Sequence, residues 1–186
     1  MTNRGRGAIF IAALAAVLAS ARALHAQTEA SRTLELDGGE RISYTLRTHP
    51  ADAHARRPAA ELAPSSALDA AKLLNLHLST GDIEEAALLS NSPRRRFEVL
   101  RDYRQSVGED EFKRVFTQYF YPENRLLAEI AIGRHRLLIW ELKNAGQLAG
   151  QYFVEVEGRY LMDDVPSETR TRLRRVLEAY RAGSVR

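Results

Sequence analysis

The spacing of apolar residues changes along the chain, and near the N-terminus it indicates strands. Between residues 33 and 47, apolar and polar positions alternate on both sides of Asp37-Gly38-Gly39. The alternating apolar residues are Leu34 and Leu36 before the glycines, and Ile42, Tyr44 and Leu46 after them. A period of two around a glycine turn predicts a β-hairpin. Residues 48–64 are rich in alanine and proline without a clear period, which is typical of a linker.

A helical pattern begins after the linker. Ser66 and Asp69 resemble a capping pair at the start of the apolar-rich residues 67–80. Gly81 follows, and glycine suits the left-handed conformation that often ends a helix. Asp82 can then cap the next helix with its carboxylate. We therefore expect Gly81-Asp82 to be a structural corner between two helices, and not a catalytic or phosphate-binding loop.

Two more helices are predicted before the next strand. Pro93 follows Ser92, an arrangement that favours the first turn of a helix. The second of these helices carries its apolar residues on one face, at Phe112, Val115, Phe116, Tyr119 and Phe120. Pro122 is expected to end it.

From residue 125 onward the period is again that of strands. Two hairpins are predicted, one from residues 125–132 and 135–142 and one from residues 151–157 and 159–164. Residues 137–140 are all apolar, so we expect that strand to be covered on both faces. A last helix is predicted in residues 166–183, with an apolar stripe of Leu173, Val176, Leu177 and Tyr180.

These elements predict an α+β fold, in which helices pack on a curved antiparallel sheet and an N-terminal hairpin and a C-terminal helix are added. The corner "LSTGDIEEAALLS", the helix "FKRVFTQYF" and the closing hairpin "VEVEGRYLMDD" resemble the nuclear transport factor 2-like superfamily over about residues 65–164. The resemblance implies a cone of bent sheet with an apolar cavity. Such families include isomerases, dehydratases, carriers and protein-binding modules, so the resemblance does not select an activity. We assign residues 65–186 to this domain and residues 27–64 to the hairpin and linker.

The N-terminus has the pattern of an export signal. Arg4 and Arg6 precede the uncharged apolar residues 8–21, a run of 14 residues that is short for a membrane span. The small residues of "ALHA" follow, as before a signal cleavage site. We predict a signal peptide over residues 1–26 with cleavage after Ala26; cleavage after Ala23 and an uncleaved anchor are the alternatives. The mature protein is expected in the periplasm or secreted, without stable membrane insertion.

Removal of this segment changes the charge balance. The full chain has 27 Lys and Arg against 24 Asp and Glu, and Arg4, Arg6 and Arg22 leave with the signal peptide. The mature chain is then neutral, which argues against nucleic acid as a partner. The chain has no cysteine, which excludes disulfides, thiolate nucleophiles and cysteine-ligated metals. No dinucleotide fingerprint, phosphate loop or metalloprotease motif occurs, and we expect no cofactor.

A binding site in such a fold needs inward-facing polar and aromatic side chains. The candidates for ligand contacts are Tyr119, Glu129, Trp140 and Tyr152. Alternation places Trp140 on the same face as Leu138 and Leu142. A carboxylate opposite a Tyr or Trp donor is also what a cofactor-independent enzyme requires. The sequence does not show whether these residues converge, and we assign no catalytic residue.

Other basic residues offer weaker candidates. Arg94, Arg95 and Arg96 lie in the first turn of a helix, where they form either a solvated face or an anion site. His49 and His54 lie in the linker, where no scaffold fixes ligand geometry, so we predict no metal site. His77 and His135 are interpreted as a helix-end and a turn histidine.

The leading functional hypothesis is an exported, non-catalytic module that binds a small apolar ligand or a protein partner. The first alternative is a cofactor-independent isomerase or dehydratase acting on a small apolar substrate in the cone cavity. The second is a lipid carrier. A homodimer formed through the sheet is left open.

Overall fold

The computed structural model describes residues 29–36, 38–143 and 146–185. The predicted signal peptide and Asp37 of the first hairpin turn lie outside these residues. The strands are β1 (Glu29–Glu35), β2 (Arg41–Arg47), β3 (Arg125–Ile132), β4 (His135–Leu142), β5 (Gln147–Val156) and β6 (Arg159–Met162). The helices are α1 (Ala67–Thr80), α2 (Ile83–Leu88), α3 (Pro93–Val107), α4 (Glu109–Thr117) and α5 (Glu168–Arg181). Within the described residues, no helix is long and apolar enough to cross a membrane.

The fold is α+β, as predicted. The six strands form one open antiparallel sheet whose spatial order follows the chain, from β1 to β6. The first hairpin joins this sheet, because Thr45, Leu46 and Arg47 of β2 pair with β3. A register shift lies in β3 between Leu126 and Ala128.

The sheet has an apolar core on each face. The helical-layer core lies between α1–α4 and the sheet, and its sheet residues are Leu126, Leu138, Trp140, Leu142 and Phe153. The α5 core lies on the opposite face, where Leu173, Val176 and Leu177 of α5 pack on Ala128, Ile130, Leu137 and Ile139. Strand β4 therefore contributes alternate residues to both cores. The prediction that this strand is covered on both faces is confirmed.

The Gly81-Asp82 corner joins two helix ends, as predicted. Gly81 ends α1 with φ of 85°, in the left-handed region. Asp82 caps α2, and its Oδ1 accepts a hydrogen bond from the backbone N of Glu85 at 3.2 Å. A Cβ on Gly81 would lie 2.6 Å from Oε1 of Glu109, the mobile end of a side chain that can shift, so glycine is favoured here mainly by its positive φ.

The segment between β2 and α1 lies against the domain. It contains a short 3-10 turn (Ala59–Glu61), and Leu62 is buried. The backbone N of Tyr160 donates to the carbonyl of Pro64, which ties the end of this segment to β6. Arg57 lies beside Asp69 of α1, with 3.4 Å between NH1 and Oδ1. The sequence-predicted linker is thus in contact with both the sheet and α1.

Candidate functional site

Trp140 lies in the middle of the helical-layer core. Alternation along β4 turns its side chain towards the helices, and it is 1% exposed. The ring of Tyr119, which follows α4, meets the indole edge-on with 5.4 Å between the ring centroids. Burial raises the pKa of Tyr119 to about 12, so this phenol is neutral across the physiological range. Two of the predicted ligand-binding residues are therefore in direct contact.

A second polar pair lies in the same core. Gln151 of β5 and Asn75 of α1 are both buried, and Nε2 of Gln151 donates to Oδ1 of Asn75 at 2.9 Å. This hydrogen bond joins the sheet to the helix that covers it. A buried amide pair is stable when its donors and acceptors are satisfied.

Two buried polar atoms in this core are unsatisfied. Nε1 of Trp140 and Oε1 of Gln151 have no hydrogen-bond partner among the described residues. Gln151 pairs with Leu138, two residues before Trp140 on the same face of β4. Diagonal neighbours of this kind lie about 7–8 Å apart. A donor and an acceptor without partners thus lie on diagonal neighbours of the same sheet face, in an apolar layer, and each costs about 1–3 kcal/mol if nothing binds it.

Glu129 lies in the same row of the sheet, on the other side of Leu138. Its carboxylate is buried, and Oε2 is 2.8 Å from Nε2 of His49. Two guanidinium groups flank it, with Arg136 at 3.5 Å and Arg47 at 3.9 Å. One buried carboxylate therefore holds three basic side chains from β2, β4 and the segment after β2.

This environment lowers the pKa of Glu129. Burial by itself would raise the pKa, because it disfavours the charged form. The hydrogen bond from His49 and the charges of His49, Arg47 and Arg136 together outweigh that effect. Glu129 is therefore ionised at neutral pH.

The fourth predicted ligand residue, Tyr152, does not join this group. It lies on the opposite face of the sheet and packs beside the α5 core. The guanidinium of Arg170 lies over its ring, with 5.2 Å to the centroid. Burial raises the pKa of Tyr152, against the influence of nearby arginines. The structure brings Tyr119, Trp140 and Glu129 to one face and Tyr152 to the other.

The three consecutive arginines have different environments. Arg94 and Arg95 are exposed. Arg96 is half-buried and its Nε donates to Oδ2 of Asp164 at 2.7 Å, while its NH2 donates to Oδ1 of the same carboxylate. Asp164 also accepts from the hydroxyl of Ser90 at 2.7 Å. The guanidinium of Arg96 is thus occupied by a carboxylate of this chain, which ties α3 to the end of β6.

Two other histidines, His135 and His77, also have acidic neighbours. Nδ1 of His135 lies 3.0 Å from Oδ2 of Asp163, a buried carboxylate that also accepts from Nδ2 of Asn91. Nδ1 of His77 lies 3.4 Å from Oδ2 of Asp82, at the helix corner. No group of three or more potential metal ligands occurs among the described residues.

Sequence reasoning missed Asn75, Gln151 and His49. Asn75 has a signal in retrospect, because it interrupts the apolar run "LLNLHL" on the buried face of α1. Gln151 is likewise a polar residue at an inward position of β5. His49 has no such signal, because its position depends on how the segment after β2 returns to the sheet.

A large surface cavity opens at the end of β4. It has a volume of about 870 Å³ and is lined by Leu142, Lys143, Gly146, Leu148, Arg181 and Glu141. Leu142 is also part of the helical-layer core and lies two residues after Trp140. The cavity therefore reaches the strand that carries the unsatisfied indole.

Comparison with protein-family models, with curated proteins and with solved structures gives no match to this chain.

Proposed function

We propose that this protein is an exported, non-catalytic module of the nuclear transport factor 2-like type that binds a small, mostly apolar ligand in its helical-layer core. The observation that carries the proposal is the pair of unsatisfied polar atoms, Nε1 of Trp140 and Oε1 of Gln151. Ligand sites are mostly apolar with a few polar groups that fix orientation, and this layer has that composition.

The two atoms define the ligand's polar end. The indole N–H of Trp140 requires a hydrogen-bond acceptor, and Oε1 of Gln151 requires a donor. A hydroxyl or a primary amide on an apolar body supplies both. The ring of Tyr119 and the side chain of Leu142 supply apolar contacts beside them.

The state of Glu129 favours binding over catalysis. A general base that works near neutral pH needs a pKa raised towards that range. The pKa of Glu129 is lowered, and its carboxylate is engaged by His49 and two arginines. It is therefore a weak base held in an ion cluster.

One observation supports the enzyme alternative. Glu129 orients His49 through a hydrogen bond of 2.8 Å, and a histidine oriented by a carboxylate is a common general base. In a cofactor-independent isomerase or dehydratase, His49 would take the proton and Glu129 would orient the ring. Substrate turnover that is abolished by His49→Gln in a folded protein would favour this alternative.

The chain contains a built-in probe for the proposed site, because Trp140 is its single tryptophan. Mass spectrometry of the natively purified protein identifies the bound ligand, and its return to the stripped protein is followed by the fluorescence of Trp140. We expect Gln151→Leu to weaken binding at least about tenfold, since it removes the acceptor. Tyr152→Phe is the matched control, because it changes the next residue of the same strand on the opposite face. Equal affinity of the two variants, or no fluorescence change on binding, would contradict the proposal.

A further inference from the structure

A separate cavity lies on the face of the sheet that α5 covers. Its volume is about 330 Å³, and its lining residues are Tyr152, Pro166, Ser167, Arg170, Thr171 and Arg174. Two of them are arginines, and no carboxylate is among the described lining residues. The cavity is therefore positively charged and rich in hydrogen-bond donors.

Arg170 differs from the other arginines of α5. Three of the others lie within 4.0 Å of a carboxylate. The pairs are Arg172 with Glu168, Arg174 with Glu178 and Arg175 with Glu40. Arg181 donates to the carbonyl of Leu148. Nε of Arg170 is buried and has no hydrogen-bond partner among the described residues. A buried guanidinium N–H without an acceptor is costly, and an anion would satisfy it.

The neighbouring groups suit an oxyanion. The guanidinium of Arg170 lies over the ring of Tyr152, with 5.2 Å between Cζ and the ring centroid, a cation–π contact that favours this position of the side chain. Arg174 lies 3.8 Å from Glu178, but both side chains are more than half exposed, so that pair is weak and the guanidinium is able to turn to a ligand. The hydroxyl of Ser167 accepts from the backbone N of Arg170 and keeps its own hydrogen for donation.

We propose that this cavity binds a small oxyanion, a phosphate or carboxylate group, through Arg170 and Arg174 with the hydroxyls of Tyr152 and Ser167 as further donors. The site is independent of the ligand site around Trp140, because the sheet separates them. The phosphate group would come from a soluble phosphate compound or from a lipid headgroup, since both present the same oxygens.

Titration with inorganic phosphate at constant ionic strength tests the site. Arg170→Met is compared with Arg172→Met, which makes the same charge change on the same helix outside the cavity. We expect wild type and Arg172→Met to bind phosphate with the same Kd, and Arg170→Met to bind at least about tenfold more weakly. The same Kd for phosphate in all three proteins would overturn the proposal. Binding of chloride to wild type as tightly as phosphate would also overturn it.

Arg170→Lys covers the case in which Arg170→Met does not fold. It keeps the charge and the aliphatic stem but lacks the fork, so we expect phosphate binding several-fold weaker than wild type. Unchanged affinity in Arg170→Lys would contradict the assignment.

A second arm identifies the source of the phosphate. Wild type and Arg170→Met are each mixed with vesicles of phosphatidylcholine, with or without phosphatidic acid, and sedimented. Sedimentation that requires phosphatidic acid and Arg170 supports a lipid headgroup, whereas phosphate binding without sedimentation supports a soluble ligand. If wild type neither binds phosphate nor sediments with the vesicles, the site is refuted.

Discussion

The two cores of this protein are built on the same strands but differ in composition. The α5 core is aliphatic apart from Tyr44, and one helix covers it. The helical-layer core is covered by four helices and has polar groups buried against it, among them Asn75, Glu129 and Gln151. Because an aliphatic layer is sufficient to hold a helix on this sheet, stability does not require polar groups in the other layer. Asn75 and Glu129 have partners within the chain, whereas Oε1 of Gln151 has none among the described residues. The two faces should therefore respond differently to substitution.

The largest expected effect is on the α5 side. Leu173 is fully buried there, and Leu173→Ala should lower the free energy of unfolding by about 2–5 kcal/mol through lost contacts and a cavity. Ligand binding at Trp140 should survive in the folded fraction. Urea unfolding measures the loss, and Leu88→Ala, at a residue that is 60% exposed, is the control that should change little. A small effect of Leu173→Ala would mean that α5 is not essential to the fold.

Glu129→Gln tests the ion cluster on the other side. We expect a loss of about 1–3 kcal/mol at neutral pH, because His49 and Arg136 lose a charged partner. The folded pKa of Glu129 lies below its ordinary value of 4.5, so its stabilising contribution is present above about pH 4.5 and is lost as the pH falls through the folded pKa.

The pH dependence gives this prediction its control. Wild type should lose stability on going from neutral pH to below pH 4.5, and Glu129→Gln should lose less over the same interval. Glu157→Gln, at an exposed turn, should follow the wild-type curve. If all three proteins lose the same stability between neutral and acid pH, the ion cluster around Glu129 does not contribute to the pH dependence of folding.

Asp82→Ala tests the helix corner, which lies on the four-helix side but away from Trp140. Loss of the cap should cost about 0.5–2 kcal/mol and leave ligand affinity unchanged. Gly81→Val should cost more, because a β-branched residue is strained at the positive φ of this position. Thermal unfolding beside a binding assay separates the roles. If Asp82→Ala loses ligand binding but keeps the wild-type melting temperature, the corner has a functional role.

The smallest stability effect is expected for Gln151→Leu. It removes one hydrogen bond to Asn75 and also removes an unsatisfied acceptor, so the free energy of unfolding should change by no more than about 1 kcal/mol. Urea unfolding of the stripped protein measures it. A loss of several kcal/mol would mean that Gln151 is a structural residue. The polar composition of the helical-layer core would then give no support to the proposed ligand site.

The secondary structure was predictable from the sequence because its signals are local. The bounds of β3 and β4 follow from alternation around Gly133, and Ser66, Gly81 and Asp82 cap helices as their chemistry requires. Alternation also placed Trp140 on the same face as Leu138 and Leu142, where the structure has it. Strand β5 begins at Gln147, before the predicted start, because its pairing with β4 continues to Leu142.

The site was less predictable because it depends on tertiary contacts. Alternation separates inward from outward residues but does not say which inward face meets which helices, and Tyr152 was therefore grouped with residues on the other face. The pairing of His49 with Glu129 joins residues far apart in the chain, and the linker composition gave no sign of it. The partner of Arg96 was also non-local, since Asp164 lies beyond the last strand.

The connection between β2 and β3 has a consequence for the order of folding. Every other neighbouring pair of strands is joined by five residues or fewer, whereas residues 48–124, with α1 to α4, separate these two. Closing so long a loop costs conformational entropy, and only three residue pairs, Thr45–Ala131, Leu46–Ile130 and Arg47–Glu129, compensate for it within the sheet. We therefore expect the β3–β6 meander to form early and the N-terminal hairpin to dock last. In the native state the backbone amides of β1 and β2 should exchange with solvent before those of β4 and β5.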